Sequence, residues 1–379
     1  MTQNTQIAII GTGFSGLGMA IKLKEAGYND FVILEQSDDI GGTWHQNHYP
    51  GCACDVQSAL YSFSFEQNPN WSRMYAQQHE IKAYLKHCAE KYGLMKHIRL
   101  NTHVAGARFD ENRQRWTLET CDSPALWTYM QEKGVKPGDR LDRTDKGLPE
   151  FTSLRADVLV SGMGGLSTPA YPEIKGIESF TGKRFHSQDW DHGYDLRGKR
   201  VAVIGTGASA IQVVPEVAKQ AARVDLYQRT PPWIMPKPDR AIRPLEKRLF
   251  RMFPQTLNAF RQSIYWSLEA RVLGFVGNPR ILKLGELQAR RHIRNQIPDK
   301  ALRKKVTPDF HFGCKRVLIS NNYYPALAQD HVDVVTEGIR EVQGNTVIDG
   351  QGNERQVDCI IYGTGFRAQD PIPAGMIFG

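Results

Sequence analysis

The chain begins with a pattern of apolar and polar positions that predicts a β-α-β unit. Four consecutive apolar residues, Ile7–Ile10, are followed by a glycine-rich turn, a stretch of helical periodicity that ends near Gly27, and a second apolar run, FVIL, before Glu35. Unbroken apolar runs are typical of strands buried on both faces, and the change of period marks the helix between them. The pattern therefore predicts one half of a dinucleotide-binding sheet.

The spacing of the glycines gives this turn a chemistry. Gly11 permits the tight turn, Gly13 lets the backbone approach a pyrophosphate, and Gly16 lets helix and strand pack closely. The helix N-terminus offers N–H groups to that anion, and a carboxylate at the end of the second strand would accept hydrogen bonds from ribose hydroxyls. The candidate binding residues of this first turn are Gly11, Gly13, Phe14, Ser15, Gly16 and Glu35.

The same plan recurs about 190 residues later. A buried strand, Val201–Ile204, leads into a second glycine turn, a helix and the strand VDLYQ. This turn has alanine at the third fingerprint position, which is an accepted variant. Its fingerprint residues are Gly205, Gly207 and Ala210.

The two copies differ where the second strand ends. Gln228 stands where the first copy has Glu35, and Arg229 follows it. A carboxylate would repel a 2′-phosphate, whereas a guanidinium can bind one bidentately. The second unit is therefore predicted to bind NADP(H) rather than NAD(H), with an ordinary surface role for Arg229 as the alternative. Two dinucleotides on one chain are typical of FAD enzymes that NADPH reduces.

Two further apolar runs end in glycine turns and suggest how the domains connect. Val158–Ser161 is predicted to be a strand, and the run VDCIIYGTGF is predicted to return to the sheet of the first domain. The expected fold class is α/β, with two Rossmann-like domains, the NADP domain inserted into the FAD domain, and a helical insert. The expected bounds are 1–170 for the first part of the FAD domain, 171–235 for the first part of the NADP domain, 236–305 for the basic helical insert, 306–345 for the NADP return and 346–379 for the FAD return.

Composition and charge change this picture little. The chain has 379 residues, 41% hydrophobic and 23% charged, with a net charge of +8 whose excess lies mainly in 236–305. A helical insert with a solvated basic face is favoured over contact with a membrane surface, and no nucleic-acid-binding module is recognised. The N-terminus shows no export signal, the six cysteines form no disulfide framework, and no metal site is expected, so the predicted location is cytoplasmic.

A short motif lies between the two turns, in the stretch FTGKRFHSQDWD. Its residues match the pattern F-x-G-x-x-x-H-x-x-x-W-[P/D] of the Baeyer–Villiger monooxygenases, which are class B flavoprotein monooxygenases. The chain resembles this family, and Trp190 with Asp191 favours it over related N- and S-oxygenating enzymes. The matching residues are Phe180, Gly182, His186, Trp190 and Asp191.

The resemblance implies two cofactors, FAD and NADPH, and residues that hold them. IGGTW and the segment after it are similar to the family's flavin-cradling region, and HFGCKRVLIS is similar to the block that carries its catalytic arginine. By resemblance, the further FAD-side residues are Gly42, Thr43, Trp44, Asp55, Tyr61 and Val104. By resemblance, the NADP-side residues are Thr206, Gly207, Ala208, Ser209, Ala210, Gln212, Arg229, Thr230, Lys315 and Arg316.

The resemblance also implies a reaction. NADPH would reduce the flavin, O₂ would form a C4a-peroxyflavin, and one oxygen atom would enter a ketone to give an ester or lactone. Arg316 is the expected catalytic cation, Asp55 would orient it, and His186 would act in acid–base chemistry or, as we favour, fix the geometry of the linker.

Three alternatives stay open. The first is N- or S-oxygenation by the same flavin chemistry. The second is a disulfide reductase, which the single residue between Cys52 and Cys54 disfavours. The third is a truncated nucleotide-binding remnant without turnover, because family members usually continue well past the GTGF turn. The substrate and the oligomeric state are not predicted.

Overall fold

The chain forms two compact units in a computed structural model. Unit 1 comprises Met1–Gln46, His79–Ala170 and Phe366–Gly379, and unit 2 comprises Asn47–Gln78 and Tyr171–Gly365. The residues that the structure describes are 3–135, 141–272, 274, 280–368, 372 and 375–379.

The strands and helices follow in chain order. The strands are β1 Gln3–Ile10, β2 Phe31–Leu34, β3 Ile98–Arg99, β4 Thr102–Asp110, β5 Arg115–Asp122, β6 Thr152–Ser161, β7 Lys183–His186, β8 Arg200–Ile204, β9 Arg223–Tyr227, β10 Ile234–Met235, β11 Leu318–Ile319, β12 Val332–Val335, β13 Ile339–Gln343, β14 Thr346–Asp349, β15 Glu354–Gln356, β16 Cys359–Tyr362 and β17 Ile377–Phe378. The helices are α1 Phe14–Glu25, α2 Thr43–Gln46, α3 Gln78–Lys91, α4 Ser123–Lys133, α5 Ala210–Ala218, α6 Pro244–Met252, α7 Pro254–Glu269, α8 Arg280–Gln296, α9 Lys300–Val306 and α10 Tyr323–Leu327.

Unit 1 is built on a sheet with the strand order β17-β4-β5-β6-β1-β2-β3. β1 pairs in parallel with β2 and β6, whereas β4, β5 and β6 form an antiparallel meander. The last four residues of β1 and all of β2 are buried. Parallel strands covered on both faces need such unbroken apolar runs, which explains why this unit was predictable.

Unit 2 is built on a parallel sheet with the order β12-β9-β8-β16-β7. A separate meander, β13-β14-β15, and a short parallel pair, β10-β11, complete its described strands. All four residues of β16 are buried, and its neighbours in the sheet are β7 and β8.

The position of β16 corrects one prediction. This strand, the core of VDCIIYGTGF, does not return to the sheet of the first domain: Cys359 pairs with Val201 and Lys183 in unit 2. An apolar run of four residues fits the centre of any parallel sheet, so the sequence could not choose between the two sheets. The predicted bound of the FAD return at residue 346 is therefore too early, since unit 1 resumes at Phe366.

A second boundary also differs from the prediction. Residues 47–78, expected in the FAD domain, belong to unit 2. The reason is backbone pairing over long sequence separations, such as the hydrogen bond of 2.9 Å from Met74 N to Arg240 O. Such contacts leave no local pattern in the sequence.

The predicted basic insert is mainly helical from Pro244 onward, within its described residues. It contains α6, α7, α8 and most of α9, and residues 273 and 275–279 of the insert lie outside the described residues. Within the parts of the chain that the structure describes, no helix combines the length and the apolarity needed to cross a membrane.

Candidate functional site

The first glycine turn, in unit 1, is packed too closely for side chains. Gly11 has φ +95°, and its N–H donates to Leu34 O at 2.8 Å. A β-carbon at Gly16 would lie 1.9 Å from Gly11 O, and one at Gly162 would lie 2.7 Å from Ile10 O. The third fingerprint glycine thus serves the close packing of helix on strand, as its spacing predicts.

The backbone of this turn forms a cradle that fits a pyrophosphate. Gly13 caps α1, and the described first turn of that helix holds no acidic residue that would repel an anion. A β-carbon at Gly42, whose φ is +54°, would lie 2.9 Å from Gly13 Cα, so the IGGTW segment lies against the turn. Trp44 is buried in α2, just after it.

Glu35 is held in place at the end of β2. It is 3% exposed, and its Oε2 accepts hydrogen bonds from the Thr12 hydroxyl and from Thr12 N at 2.9 Å. Its Oε1 accepts from Ser37 N at 2.9 Å. A carboxylate has about four lone-pair sites, so one stays for a ribose hydroxyl. Val104, the predicted adenine contact, is buried in β4 beside a register shift between Val104 and Gly106.

The second glycine turn, in unit 2, repeats this geometry. Gly205 has φ +109°, and a β-carbon there would lie 2.4 Å from Gly363 O. A β-carbon at Gly363 would lie 2.9 Å from Ala210 Cβ, so the alanine of the fingerprint packs against the turn after β16. At Gly207, a β-carbon would meet no described atom within 4 Å. The open side of this turn leaves room for a ligand.

Two exposed cations stand in the segments predicted to recognise a 2′-phosphate. Arg229 follows β9 and is exposed, whereas Gln228 is buried and donates from Nε2 to Lys305 O at 2.8 Å. Lys315 is also exposed, with Nζ 4.7 Å from the centre of the Phe310 ring. Thr230 accepts a hydrogen bond through its carbonyl from the Thr206 hydroxyl at 2.9 Å.

Asp55 and Arg316 form an ion pair within unit 2. They are 261 residues apart in the chain, and Arg316 Nη2 donates to Asp55 Oδ2. The Arg316 side chain is 65% exposed and that of Asp55 is 29% exposed. A guanidinium has five N–H donors and keeps its charge at any working pH, so Arg316 can bind an anion while it stays paired with Asp55.

The loop that carries Asp55 is clamped by a residue predicted to contact NADP. Gln212 of α5 accepts through Oε1 from Tyr49 Oη at 2.9 Å and from Ala53 N at 3.3 Å, and it donates through Nε2 to Ala53 O at 2.9 Å. The amide of Gln212 therefore binds protein backbone two residues before Asp55. Its contact with NADP stays a prediction.

The two neighbouring cysteines are buried free thiols. Cys52 and Cys54 form no disulfide in the structure, and burial raises the pKa of each thiol to about 12. A thiolate is the reactive form in disulfide chemistry, and it is suppressed at both positions. This environment disfavours the disulfide reductase alternative.

The linker motif is part of the core of unit 2. Phe180 and Trp190 are buried, and a β-carbon at Gly182 would lie 2.5 Å from Asp358 O. Asp191 pairs with Lys183 at 2.7 Å. The motif therefore fixes β7 and the turn that follows it.

His186 is wholly buried at the end of β7. Its Nδ1 accepts from Gln188 N at 3.1 Å, so Nε2–H donates to Gly365 O at 3.0 Å. Burial lowers the pKa of His186 to about 4, which keeps the ring neutral at physiological pH. These contacts favour the geometric role over acid–base chemistry.

Comparisons with known proteins show the family to which the chain belongs. Two family models match the chain: an NAD(P)-binding Rossmann-like domain over residues 9–77 and a flavin-binding monooxygenase-like family over residues 156–274. A Baeyer–Villiger monooxygenase of Pseudomonas aeruginosa is 54% identical over 377 residues, which cover 100% of this chain and 66% of the relative. Another, from Streptomyces coelicolor, is 44% identical over 378 residues, which cover 100% of this chain and 67% of the relative. This chain belongs to the Baeyer–Villiger monooxygenase family.

A solved structure extends the family likeness to the fold. The structure of OTEMO in complex with FAD and NADP is 28% identical, has a TM-score of 0.80, and covers 98% of this chain and 73% of its own. The resemblance seen in the sequence and the α/β fold class with Rossmann-like domains are both confirmed. The chain spans about two thirds of the length of the two curated relatives, 66% and 67%.

Two residues of the site were not predicted from the sequence. Arg261 of α7 donates from Nη1 to Ala59 O at 2.9 Å and Leu60 O at 2.8 Å, and it thereby fixes the loop that holds Tyr61. Thr12, which anchors Glu35, was also missed. A hydroxyl beside a fingerprint glycine was a readable hint for Thr12, whereas Arg261 lies about 200 residues from its partners and gave no hint.

Proposed function

We propose that this chain is an NADPH-dependent flavin monooxygenase that inserts one atom of O₂ into a small-molecule ketone to give an ester or lactone. The observation that carries the proposal is the Asp55–Arg316 ion pair, in a chain of this family with two dinucleotide turns. A cytoplasmic location stays a prediction.

The residues fit the two cofactors at the level of backbone shape and charge. FAD would be held by the first turn, by Glu35 and by the segment from Gly42 to Trp44. NADPH would be held by the second turn, with Arg229 and Lys315 as cations for the 2′-phosphate. A solved relative, OTEMO, binds FAD and NADP, which supports this assignment. When bound, reduced flavin would supply the activation of O₂, and NADPH would supply the electrons.

Arg316 would stabilise negative charge on oxygen during attack on the ketone carbonyl. A fixed cation next to a developing oxyanion lowers the barrier because it needs no reorientation as the charge forms. Asp55 would hold the guanidinium in one orientation through a charge-assisted hydrogen bond. The exposed fraction of the Arg316 side chain, 65%, leaves it accessible to substrate.

His186 would act as a positioning residue. Its Nε2–H holds Gly365 O, at the end of the GTG turn that packs against Gly205 through Gly363. A neutral, buried imidazole whose Nδ1 and Nε2–H both bind backbone groups is not placed to exchange a proton with a substrate. The linker motif then acts by fixing the shape of the nucleotide-binding unit.

Substitution of the central cation tests the proposal. In Arg316→Ala, flavin reduction by NADPH is expected to stay near the wild-type rate, because the cations assigned to the 2′-phosphate, Arg229 and Lys315, are kept. Ester formation is expected to fall roughly 10²–10³-fold, because oxyanion stabilisation is lost. Stopped-flow absorbance of the flavin and product analysis with a ketone would separate the two steps. Arg248→Ala, at an exposed position of α6, is the matched control.

The same assay distinguishes the remaining alternatives. Conversion of a sulfide but not of the ketone by the wild-type chain would indicate N- or S-oxygenation instead. A chain that binds flavin and NADPH but oxidises neither substrate would be a nucleotide-binding remnant. Wild-type rates of ester formation in Arg316→Ala would overturn the role of the arginine.

A further inference from the structure

A strap in unit 2, residues 233–242, is attached to the strand that follows Arg316. β10 of the strap pairs in parallel with β11. Leu318 N donates to Trp233 O at 2.8 Å, and Ser320 N donates to Met235 O at 3.0 Å. The strap therefore runs beside β11, which begins two residues after Arg316.

The other end of the strap is attached to the segment that supports Asp55. Ile242 N donates to Ser72 O at 2.9 Å, and Asp239 pairs with Arg73 at 2.8 Å. This segment, residues 72–76, holds the Asp55 loop in turn, because Cys54 N donates to Ala76 O at 2.9 Å. The strap thus contacts the supports of both members of the ion pair.

Lys237 lies in the middle of the strap and connects the two sides directly. Its backbone is clamped by Asn321, which accepts from Lys237 N at 2.9 Å and donates to Lys237 O at 2.7 Å. Its Nζ donates to Cys54 O at 3.3 Å, the carbonyl of the residue before Asp55, and lies 4.8 Å from the centre of the Tyr75 ring. One residue therefore joins the Arg316 side to the Asp55 side.

We propose that Lys237 is a positioning residue that holds Asp55 opposite Arg316. An ammonium that donates to a peptide carbonyl makes a charge-assisted bond, which fixes the loop more firmly than a neutral contact does. The Nζ of the lysine lies 4.8 Å from the centre of the Tyr75 ring, which is 5% exposed, and this contact restricts the rotamers of the side chain. The consequence for oxygenation rests on the proposed function, whereas the effect on the loop does not.

The charges around Lys237 make its effect dependent on pH. The carboxylates of Asp239 and Asp55 favour the ammonium, whereas Arg73 opposes it; the neutral thiol of Cys54 adds no charge, and the ammonium lies over the Tyr75 ring. Burial is the largest influence and lowers the pKa of Lys237 below its usual value. The ammonium is therefore lost at a lower pH than that of an exposed lysine.

The buried Cys54 thiol reports on the loop without any cofactor. Lys237→Met keeps an apolar stem and removes the ammonium, so alkylation of Cys54 by iodoacetamide is expected to rise roughly tenfold, the effect of one lost charge-assisted bond. Mass spectrometry of the tryptic peptides measures it. Alkylation of Cys88, which is wholly buried in unit 1, reports global unfolding. Alkylation of the exposed Cys314 reports the reactivity of the reagent itself.

Two further variants make this test specific. Lys237→Arg is expected to restore the protection of Cys54, because the guanidinium keeps charge and donor. Lys247→Met is the matched control. Lys247 also donates to a backbone carbonyl, Asn70 O at 3.2 Å, which lies just before residues 72–76. An unchanged Cys54 rate in Lys237→Met overturns the proposal, and so does an equal rise at Cys88.

A second measurement separates this proposal from the proposed function. In the enzyme loaded with FAD and NADPH, Lys237→Met is expected to lower ester formation about tenfold with flavin reduction unchanged. The alkaline limb that deprotonation of Lys237 gives the wild-type pH profile is expected to be absent in Lys237→Met and in Lys237→Arg, but only Lys237→Arg keeps the wild-type rate at neutral pH. If the wild type forms no ester, the proposed function fails and the alkylation result still decides the loop role. If Lys237→Met oxygenates the ketone like wild type, the positioning role is overturned.

Discussion

The two glycine turns share a backbone and differ in the residue that ends the following strand. In each, the first glycine has a positive φ, +95° at Gly11 and +109° at Gly205, and each lies against a glycine after another parallel strand, Gly162 or Gly363. The threonine after the first glycine binds a carboxylate in unit 1, that of Glu35, but a backbone carbonyl in unit 2. The comparison teaches that the backbone supplies a general phosphate cradle, whereas the strand end selects the charge of the ligand.

The strongest test of the shared backbone uses two glycines with opposite surroundings. Gly16→Ala would place a methyl 1.9 Å from a backbone oxygen, whereas a methyl at Gly207 would meet no described atom within 4 Å. Gly16→Ala is expected to lower the free energy of unfolding by about 4 kcal/mol, and Gly207→Ala by less than about 1 kcal/mol while it weakens NADPH binding. Chemical denaturation and nucleotide titration measure both. Equal losses of stability would contradict the comparison.

The response to acid extends the comparison to two histidines, His186, which is wholly buried, and His103, which is half-buried. Burial lowers the pKa of His186 in unit 2 and of His103 in unit 1 to about 4 each. Because the folded pKa lies below the usual 6.5, the stability from each neutral ring is complete above pH 6.5 and is lost as pH falls toward 4, up to about 3 kcal/mol. His186→Gln is expected to reduce the loss of stability of unit 2 at low pH and to leave the loss of stability of unit 1 unchanged. Hydrogen exchange of peptides from each unit between pH 7 and 4 tests it, and an unchanged slope in unit 2 would refute it.

The smallest expected effect concerns the difference at the strand ends. Arg229→Gln would remove the cation predicted to bind the 2′-phosphate, and the KM for NADPH is expected to rise roughly 30-fold, about 2 kcal/mol. The KM for NADH is expected to stay unchanged, because NADH has no 2′-phosphate. Steady-state flavin reduction with both nucleotides measures the ratio. A parallel rise for NADH would show that Arg229 supports the fold and not the phosphate.

The sites also show where sequence reasoning stops. The glycine spacing and Glu35 were readable because strand, turn and helix are neighbours in the chain. Asp55 and Arg316 were named only through family resemblance, since nothing local joins residues 261 positions apart. Lys237 had no sequence signal at all.

By itself, the sequence determined two β-α-β units, their glycine turns and the different charge at each strand end, because these depend on local periodicity and on the conformational freedom of glycine. Only the tertiary structure decided that β16 belongs to the sheet of unit 2, that residues 47–78 pack there, and that Lys237 joins the supports of Asp55 and Arg316. The physical reason is that buried apolar strands are interchangeable in pattern, and contacts between distant segments form only when the chain has folded.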